Sequence, residues 1–239
     1  MVLDINAIPG QGSVPTSFTP FDGVLYFCAD DGVNSMELWK TDGSAAGTVL
    51  VKNINPAGGS SNPTEFIVMD QSLYFRADNG VDGIELWKTD GSEPGTSQVM
   101  NINAQAGSNP IGFDVMDGFL YFAADDGING PRLWKSNGAE AGTQVVADIP
   151  IQHEGTPFTT GELYFSGNDS NGWESWKTDG TAAGTTMLTN IDPEEAANLP
   201  PIQFTVFKDA FYFIGYDDVN TSALWKTDGT EAGPFFSKT

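Results

Sequence analysis

The sequence predicts an all-β fold made of five copies of one four-stranded unit. Three observations predict it: one phrase recurs five times, each copy contains short alternating apolar runs, and turn-forming residues separate these runs. The phrase is clearest at 37–43, where it reads Glu-Leu-Trp-Lys-Thr-Asp-Gly. Its tryptophans are 48, 47, 42 and 49 residues apart, at Trp39, Trp87, Trp134, Trp176 and Trp225. Such a period is typical of solenoids, propellers and arrays.

Residues 63–103 show the elements of one unit most clearly. Aromatic and β-branched residues suit strands, and the residues between them favour turns with left-handed backbone. In chain order, the sequence predicts a first strand at 63–69, a turn at 70–71, a second strand at 72–77, a loop at 78–83, a third strand at 84–88, a reversal at 89–96 and a fourth strand at 98–102. No stretch of the unit has a helical period.

Both faces of each predicted sheet are apolar. Leu73 and Phe75 point to one face, while Tyr74 points to the other. A sheet with two apolar faces is stable between two similar sheets, and four-stranded sheets repeated around an axis form a β-propeller. We therefore predict a five-bladed β-propeller of four-stranded antiparallel blades.

The predicted domain is a single one, covering 1–239, and its ring closes at the ends of the chain. Val2 to Ile5 match Val146 to Ile149, a fourth-strand sequence, so we expect 1–6 to complete the last blade. Phe235 and Phe236 could supply part of that strand instead. The approximate blades are 13–55, 62–104, 109–150, 155–193 and 200–239.

These repeats resemble the bacterial ELWxxDGT repeat family. The resemblance covers nearly the whole chain and is carried by 37–48, 85–96, 133–143, 174–185 and 224–233. The chain departs from the pattern at Arg132, Asn137, Ser175, Ala223 and Pro234. The resemblance implies a propeller in an extracellular or cell-surface setting. It implies no established catalytic mechanism and therefore no catalytic residues.

Composition limits the partners that the protein can have. The formal net charge is −22, which repels phosphate backbones and anionic membranes and attracts cations. Cys28 is the only cysteine, so the chain forms no internal disulfide. No apolar run is long enough to span a membrane, and 1–4 do not resemble a signal peptide. If the protein is extracellular, the signal lies outside this sequence.

Acidic loops precede the third strands and are candidates for calcium binding. Ca²⁺ binds carboxylate and carbonyl oxygens on tightly turned backbone. The alternative is that these side chains cap their own turns by hydrogen bonding to the backbone. The spacing matches neither an EF-hand nor a calcium-binding nonapeptide. The candidate ligands are Asp30, Asp31, Asp78, Asp125, Asp126, Asp217 and Asp218.

The repeated tryptophans and lysines have two interpretations each. The tryptophans could stack on sugar rings, or they could fill the gaps between blades. We expect each lysine that follows a repeat tryptophan to pair with a nearby carboxylate. The aspartates of the Thr-Asp-Gly hairpins are expected to accept hydrogen bonds from their own loop, with the following glycine at positive φ.

Two of the candidate ligand-binding residues lie in or next to the irregular fourth repeat, and the third, Tyr216, lies in the fifth. Trp173 is the one tryptophan outside the repeat, and His153 is the only histidine. A single histidine excludes multi-histidine metal sites. Together with Tyr216 they form the predicted ligand-binding set, although drift in a decaying repeat would explain Trp173 as well.

The uniformity of the repeats favours a binding function over catalysis. We predict a non-catalytic binding or adhesion module outside the cell, with carbohydrate as the expected ligand of several similar sites. One alternative is a structural protein–protein interaction subunit of a larger assembly. A second is a glycan hydrolase or lyase that uses carboxylates converging near the central channel.

Overall fold

The computed structural model describes residues 1–151, 158–159, 162–169, 172–189, 199–208, 210–216 and 222–227. These residues form five antiparallel sheets, each of which follows the chain as a meander. The all-β class and the number of sheets are therefore as the sequence predicts. Four sheets have four described strands, and the fifth has three.

The strands of the second sheet lie close to the positions predicted within 63–103, and the first and third sheets follow the same order. The first sheet consists of β1 (Thr16–Phe21), β2 (Val24–Asp30), β3 (Met36–Thr41) and β4 (Val49–Lys52). The second consists of β5 (Thr64–Met69), β6 (Ser72–Asp78), β7 (Ile84–Thr89) and β8 (Ser97–Met100). The third consists of β9 (Ile111–Met116), β10 (Phe119–Asp125), β11 (Pro131–Ser136) and β12 (Gln144–Pro150), with a short 3₁₀ helix at Glu140–Gly142.

The last two sheets follow the same order. The fourth consists of β13 (Phe158–Thr159), β14 (Leu163–Asp169), β15 (Gly172–Thr178) and β16 (Thr186–Thr189). The fifth consists of β17 (Ile202–Phe207), β18 (Ala210–Gly215) and β19 (Ala223–Thr227). The first strands of neighbouring sheets contact each other, β1 with β5, β5 with β9 and β9 with β13. The first four sheets therefore stack side by side with their first strands along a common edge.

The core lies between the sheets, as two apolar faces require. One cluster combines Tyr26 and Leu38 of the first sheet with Leu73, Phe75 and Trp87 of the second. The opposite face of the second sheet places Tyr74 and Leu86 against the third sheet. The alternation of Leu73, Tyr74 and Phe75 is confirmed, and burial of this apolar area is what holds neighbouring sheets together.

A buried glutamate fastens the linker between consecutive sheets. Glu37 is fully buried and accepts hydrogen bonds from the N–H groups of Ile54 and Asn55 and from the Ser61 hydroxyl, at 2.8, 3.2 and 2.6 Å. Burial raises the pKa of Glu37, and these hydrogen bonds oppose the rise. Glu85 is buried with equivalent partners between the second and third sheets. The glutamate of the repeated phrase is therefore structural.

The third sheet shows what replaces this glutamate. Arg132 occupies the position and forms an ion pair with Asp148, at 3.1 Å. Arg132 also pairs in register with Pro150, and β12 is three residues longer than β4 or β8. The fourth strand continues here because no carboxylate captures the backbone N–H groups that follow it.

The first sheet is covered on its outer face by the N-terminal segment. Ile5 packs on Phe27, Ala29 and Trp39, as Ile54 packs on the second sheet. Residues 1–15 contain no strand, and the described part of the fifth sheet has no fourth strand. The described residues thus show five sheets and no strand pairing that closes a ring.

Candidate functional site

Three loops of almost identical conformation lie at one edge of the sheets, between the second and third strands. We call 30–35, 78–83 and 125–130 the acidic loops, because each carries two aspartates. In the first loop, Asp30 Oδ1 accepts a hydrogen bond from Gly32 N at 2.6 Å. Asp78 and Asp125 bind the N–H groups of Gly80 and Gly127 in the same way, both at 2.7 Å. The first aspartate therefore fixes the start of each loop.

The second residue of each loop binds the loop tip. Asp31 Oδ1 accepts from the N–H groups of Val33 and Asn34 at 2.8 and 2.7 Å, and its Oδ2 accepts from Asn34 Nδ2 at 2.7 Å. Asp126 repeats these bonds with Ile128 and Asn129. Partial burial pushes the pKa of Asp31 up, but the hydrogen bonds outweigh burial and leave the pKa lowered. Hydrogen bonds from Asn129 and Ile128 lower the pKa of Asp126.

The second loop keeps this network with donor and acceptor exchanged. Asn79 Oδ1 accepts from the N–H groups of Val81 and Asp82, both at 2.8 Å. Asn79 Nδ2 then donates to Asp82 Oδ2 at 2.8 Å, which reverses the direction found between Asn34 and Asp31. We did not predict the side-chain bond between Asn79 and Asp82 from the sequence. The sequence does indicate it, because two loops have Asp before Asn at these positions and the remaining loop has Asn before Asp.

The tip of each acidic loop presents an apolar side chain to solvent. Val33, Val81 and Ile128 are 80%, 86% and 83% exposed. They occupy the same position in three consecutive repeats, directly after the glycine of the loop. The fixed backbone beneath them holds these tip residues in equivalent places along one edge of the molecule.

Five of the seven predicted calcium ligands lie within the described residues. Asp30, Asp31, Asp78, Asp125 and Asp126 all bind N–H groups of their own loops, as the capping alternative predicts. In the part of the chain that the structure describes, no group of three or more His, Cys, Asp or Glu residues is placed to hold a metal ion. Calcium stays a prediction, and Asp217 and Asp218 lie outside the described residues.

The predicted ligand-binding residues are described in part. Trp173 is half-buried on β15, opposite Asn168, at the end of the sheet where the loop between β14 and β15 lies. Tyr216 is half-buried and follows β18, at the equivalent end of the fifth sheet. His153 lies outside the described residues. Trp173 and Tyr216 thus stand at corresponding ends of neighbouring sheets.

Three of the repeat tryptophans fill spaces between the described sheets, and a fourth lies beneath the N-terminal segment. Trp39, Trp87, Trp134 and Trp225 are all buried. Trp87 packs on the first sheet, Trp134 on the second and Trp225 on the fourth. The interpretation that tryptophans fill gaps between blades is confirmed for Trp87, Trp134 and Trp225, while Trp39 is buried beneath the N-terminal segment. A buried indole face offers no platform on which a sugar could stack.

The prediction that the repeated lysines pair with carboxylates is wrong for three of them. Lys40, Lys88 and Lys135 do not pair with carboxylates but donate to the carbonyl oxygens of Gly91, Gly138 and Gly180 in the next sheet, at 2.8, 2.8 and 2.7 Å. Among the contacts of the described residues, Lys177 pairs as expected, with Glu162 at 3.0 Å, and Lys226 lies over the ring of Tyr212. A lysine can reach the next sheet because the carbonyl after a Thr-Asp turn faces back along the stack.

The Thr-Asp-Gly hairpins behave as the sequence predicts. Asp42 Oδ1 accepts from Ser44 N at 2.8 Å, and Gly43 has a φ of +92°. Asp90 and Asp179 cap their loops in the same way. The hairpins are self-contained turns, and their contribution to the stack is the carbonyl that receives the lysine.

A cleft of about 600 Å³ opens at the edge opposite the acidic loops. It lies between the first and second sheets and is lined by Phe21, Asp22, Val68, Asp70, Gln71 and Asp90. Burial raises the pKa of the neighbouring Tyr26 hydroxyl, and the charges of Asp22 and Asp90 add to the rise. The cleft is acidic, but its carboxylates do not form a metal-binding group.

Comparison with known proteins identifies the fold and no more. No protein-family model matches the chain, and no curated protein matches it in sequence. Among solved structures, a prolyl endopeptidase matches with a TM-score of 0.54 and 11% identity, over 92% of this chain and 34% of that one. A puromycin-hydrolyzing peptidase of Mycobacterium tuberculosis matches with a TM-score of 0.50 and 13% identity, over 86% and 34%.

TolB from Acinetobacter baumannii matches with a TM-score of 0.47 and 11% identity, over 88% of this chain and 51% of that one. The chain therefore spans about a third to a half of the length of these three proteins. With the five antiparallel sheets, the two higher-scoring matches identify a β-propeller-like all-β fold. No described helix is long and apolar enough to cross a membrane.

Proposed function

We propose that the protein is a non-catalytic binding or adhesion module of the cell surface, which contacts its target through the acidic loops. The observation that carries this proposal is the repetition of one rigid loop conformation with an exposed side chain in three consecutive sheets. Similar sites on one rigid body add weak contacts through effective concentration, so affinity rises when a target offers several matching groups.

We also propose that the module is a closed five-bladed ring, with the blade boundaries predicted above. Asn6 lies against Gly32 as Asn55 lies against Gly80 and Asn103 against Gly127. Ile5 and Asn6 thus correspond to Ile54 and Asn55, which follow the fourth strand of a preceding blade, and this correspondence supports closure. The outer faces of the fifth and first sheets both expose apolar side chains that a closed ring would cover. Leu224 of the fifth sheet is 62% exposed, although its equivalents Leu38, Leu86 and Leu133 are buried. Phe18 of the first sheet is 56% exposed, although its equivalent Phe66 packs on the preceding sheet.

Substitution of Leu224 tests closure. In a closed ring Leu224 is buried between the fifth and first blades, so Leu224→Ser costs about 2–4 kcal/mol of unfolding free energy, as expected for a core leucine. Leu38→Ser, at the equivalent buried position, is the matched control. If Leu224→Ser changes the free energy of unfolding by less than about 0.5 kcal/mol in urea titrations, the face is open and the ring is not closed.

The binding function is tested by comparing sparse and dense ligand surfaces. A glycan array and defined peptide surfaces, each at two densities and with and without Ca²⁺, measure whether retention rises with density. Multivalent binding predicts at least a tenfold slower dissociation from the dense surface. Equal dissociation from both densities on every surface that binds would contradict the proposal.

Carbohydrate is a second candidate ligand, favoured by Trp173. This indole is only partly buried, lies outside the repeat and pairs in register with Asn168 near the end of its sheet. An aromatic face of this kind stacks on sugar rings. On the glycan array, Trp173→Ala should abolish any sugar signal, while Trp176→Phe in the same strand should keep it. A sugar signal that survives Trp173→Ala would remove Trp173 from the site.

The carboxylate-based hydrolase has less support. Glu37 and Glu85 have a raised pKa, and both are fully buried and bound to linker N–H groups. Such groups hold the sheets together and are not open to a glycan.

A further inference from the structure

The exposed tip residues are not explained by folding. Single exposed apolar residues are common on protein surfaces. Here, however, Val33, Val81 and Ile128 are each at least 80% exposed at the same position of three loops that are otherwise polar. They bury almost nothing, so the stability of the chain does not require them.

The acidic loops hold the tip residues rigidly. The N–H group of each tip residue is bound by a side chain of its own loop, at 2.8–2.9 Å. Asn53 Nδ2 and Asn101 Nδ2, each of the residue directly after the fourth strand, then donate to Asn34 Oδ1 and Asp82 Oδ1 of the first two loops, at 2.8 and 2.9 Å. β-Branched side chains have few rotamers. The tip residues therefore lose little conformational entropy when they are buried against a partner.

Charge limits what that partner can be. Each acidic loop carries two aspartates within three residues of its tip, and the whole chain has a net charge of −22. The lowered pKa values of Asp31 and Asp126 keep these two groups ionised at neutral pH. A partner that receives the tip residues must approach these charges, so anionic lipid and nucleic acid are repelled.

We infer that the acidic-loop edge docks onto a basic protein surface whose apolar recesses, bordered by Lys or Arg side chains, receive Val33, Val81 and Ile128. The inference rests on the proposed binding function and names its partner class. The tip residues supply the buried apolar area of the contact, and the surrounding aspartates pair with the basic rim. The spacing of the loops selects partners with several recesses over partners with one.

A defined peptide surface tests the inference. The probe is a dense biosensor layer of an alternating Leu–Lys peptide, which offers apolar and basic groups together. Layers of Ser–Lys and Leu–Glu peptides and vesicles of phosphatidylcholine serve as comparison surfaces. The protein is expected to bind the Leu–Lys layer at least tenfold more tightly than each comparison surface. Equal binding to the Ser–Lys layer, or stronger binding to the vesicles, would overturn the inference.

Substitution of the tip residues provides the decisive comparison. Burial of one such side chain contributes roughly tenfold in affinity, so Val33→Thr, Val81→Thr and Ile128→Thr together should weaken binding at least a hundredfold. The matched control is Val68→Thr, a partly exposed valine on β5 outside the loops, which should leave binding unchanged. The triple variant should keep the melting temperature of the parent, because its side chains bury nothing.

The outcomes separate this inference from the proposed function. If the triple variant binds the Leu–Lys layer as tightly as the parent, the inference is wrong. Slower dissociation from dense than from sparse layers would then still support multivalent binding. If the triple variant loses binding but density has no effect, the tip residues contact a basic partner and the multivalent function is wrong.

Discussion

The contact between consecutive sheets can be tested at Gly91. A Cβ atom added to Gly91 would stand 2.3 Å from the Tyr26 hydroxyl oxygen and 3.9 Å from Lys40 Nζ. Tyr26 is only 2% exposed and belongs to the buried cluster between the first and second sheets. Lys40 donates to the Gly91 carbonyl at 2.8 Å. In Gly91→Ala the new methyl group therefore pushes the two sheets apart at the point where Lys40 and Tyr26 of the first sheet contact Gly91 of the second.

The cost of Gly91→Ala has two parts. The residue has a φ of +92°, and an L-residue with left-handed backbone costs about 1–2 kcal/mol. Overpacking against Tyr26 adds about 1–3 kcal/mol. Gly58→Ala is the matched control, because Gly58 has a φ of +89° and nothing lies within 4 Å of its added Cβ. The variants should differ by about 2 kcal/mol, or roughly 4–8 °C in melting temperature for a chain of this size.

Calorimetry and urea titration of both variants measure this difference. Tyr26→Phe in the Gly91→Ala background removes the clashing hydroxyl and should restore part of the lost stability. Equal stability of Gly91→Ala and Gly58→Ala would refute the packing of Tyr26 on Gly91.

Gly43→Ala extends the same test to ring closure. Gly43 has the same φ of +92° and the same place in its hairpin, and nothing lies within 4 Å of its added Cβ. If the ring is closed, Tyr212 of the fifth blade meets Gly43, and Gly43→Ala should cost as much as Gly91→Ala. If the fifth sheet does not contact the first, Gly43→Ala should lower the free energy of unfolding only as much as Gly58→Ala does.

Three further predictions concern single side chains. The raised pKa of Glu37 means that the folded chain holds its proton at higher pH than the unfolded chain, so stability rises as pH falls through the folded pKa toward 4.5. Glu37→Gln should remove this gain, so urea titrations should show that the variant's loss of unfolding free energy grows from pH 7 to pH 5. Glu140→Gln, at an exposed position, is the control. A loss that shrinks over the same range would contradict the raised pKa of Glu37. Lys88→Met should lower the free energy of unfolding by about 1 kcal/mol in the same assay, because the Gly138 carbonyl loses its donor. An unchanged free energy of unfolding would mean that water replaces the lysine as donor. Asp31→Ala should speed amide exchange within its loop about tenfold without affecting the other loops, and unchanged exchange would contradict the rigid network.

The sequence predicted the sheets because the apolar pattern and the turns are local. The alternation of Leu73, Tyr74 and Phe75 assigns each side chain to a face, and two apolar faces require neighbours on both sides. The Thr-Asp-Gly hairpins were predictable for the same reason, since Asp42 caps its own loop. The tryptophans fitted two interpretations, and the burial of Trp87, Trp134 and Trp225 between sheets decided in favour of packing for these three.

The candidate site was predictable only in part. The sequence singled out the acidic loops, including Asp31 and Asp126, but it left calcium binding and turn capping as alternatives and did not point to Val33 or Ile128. Exposure is a property of the whole molecule, and an apolar residue in a short loop looks like any other core residue until its surroundings are known.

Sequence by itself determined the number of repeats, the strand order within each sheet and the capping of the turns, since these depend on residues close together along the chain. Only the tertiary structure decided that Lys40 reaches the Gly91 carbonyl, that Glu37 holds a linker and that the tip residues face solvent. Lys40 and Gly91 are 51 residues apart in sequence, and a contact of that kind exists only once the stacking of two sheets has fixed the distance between them.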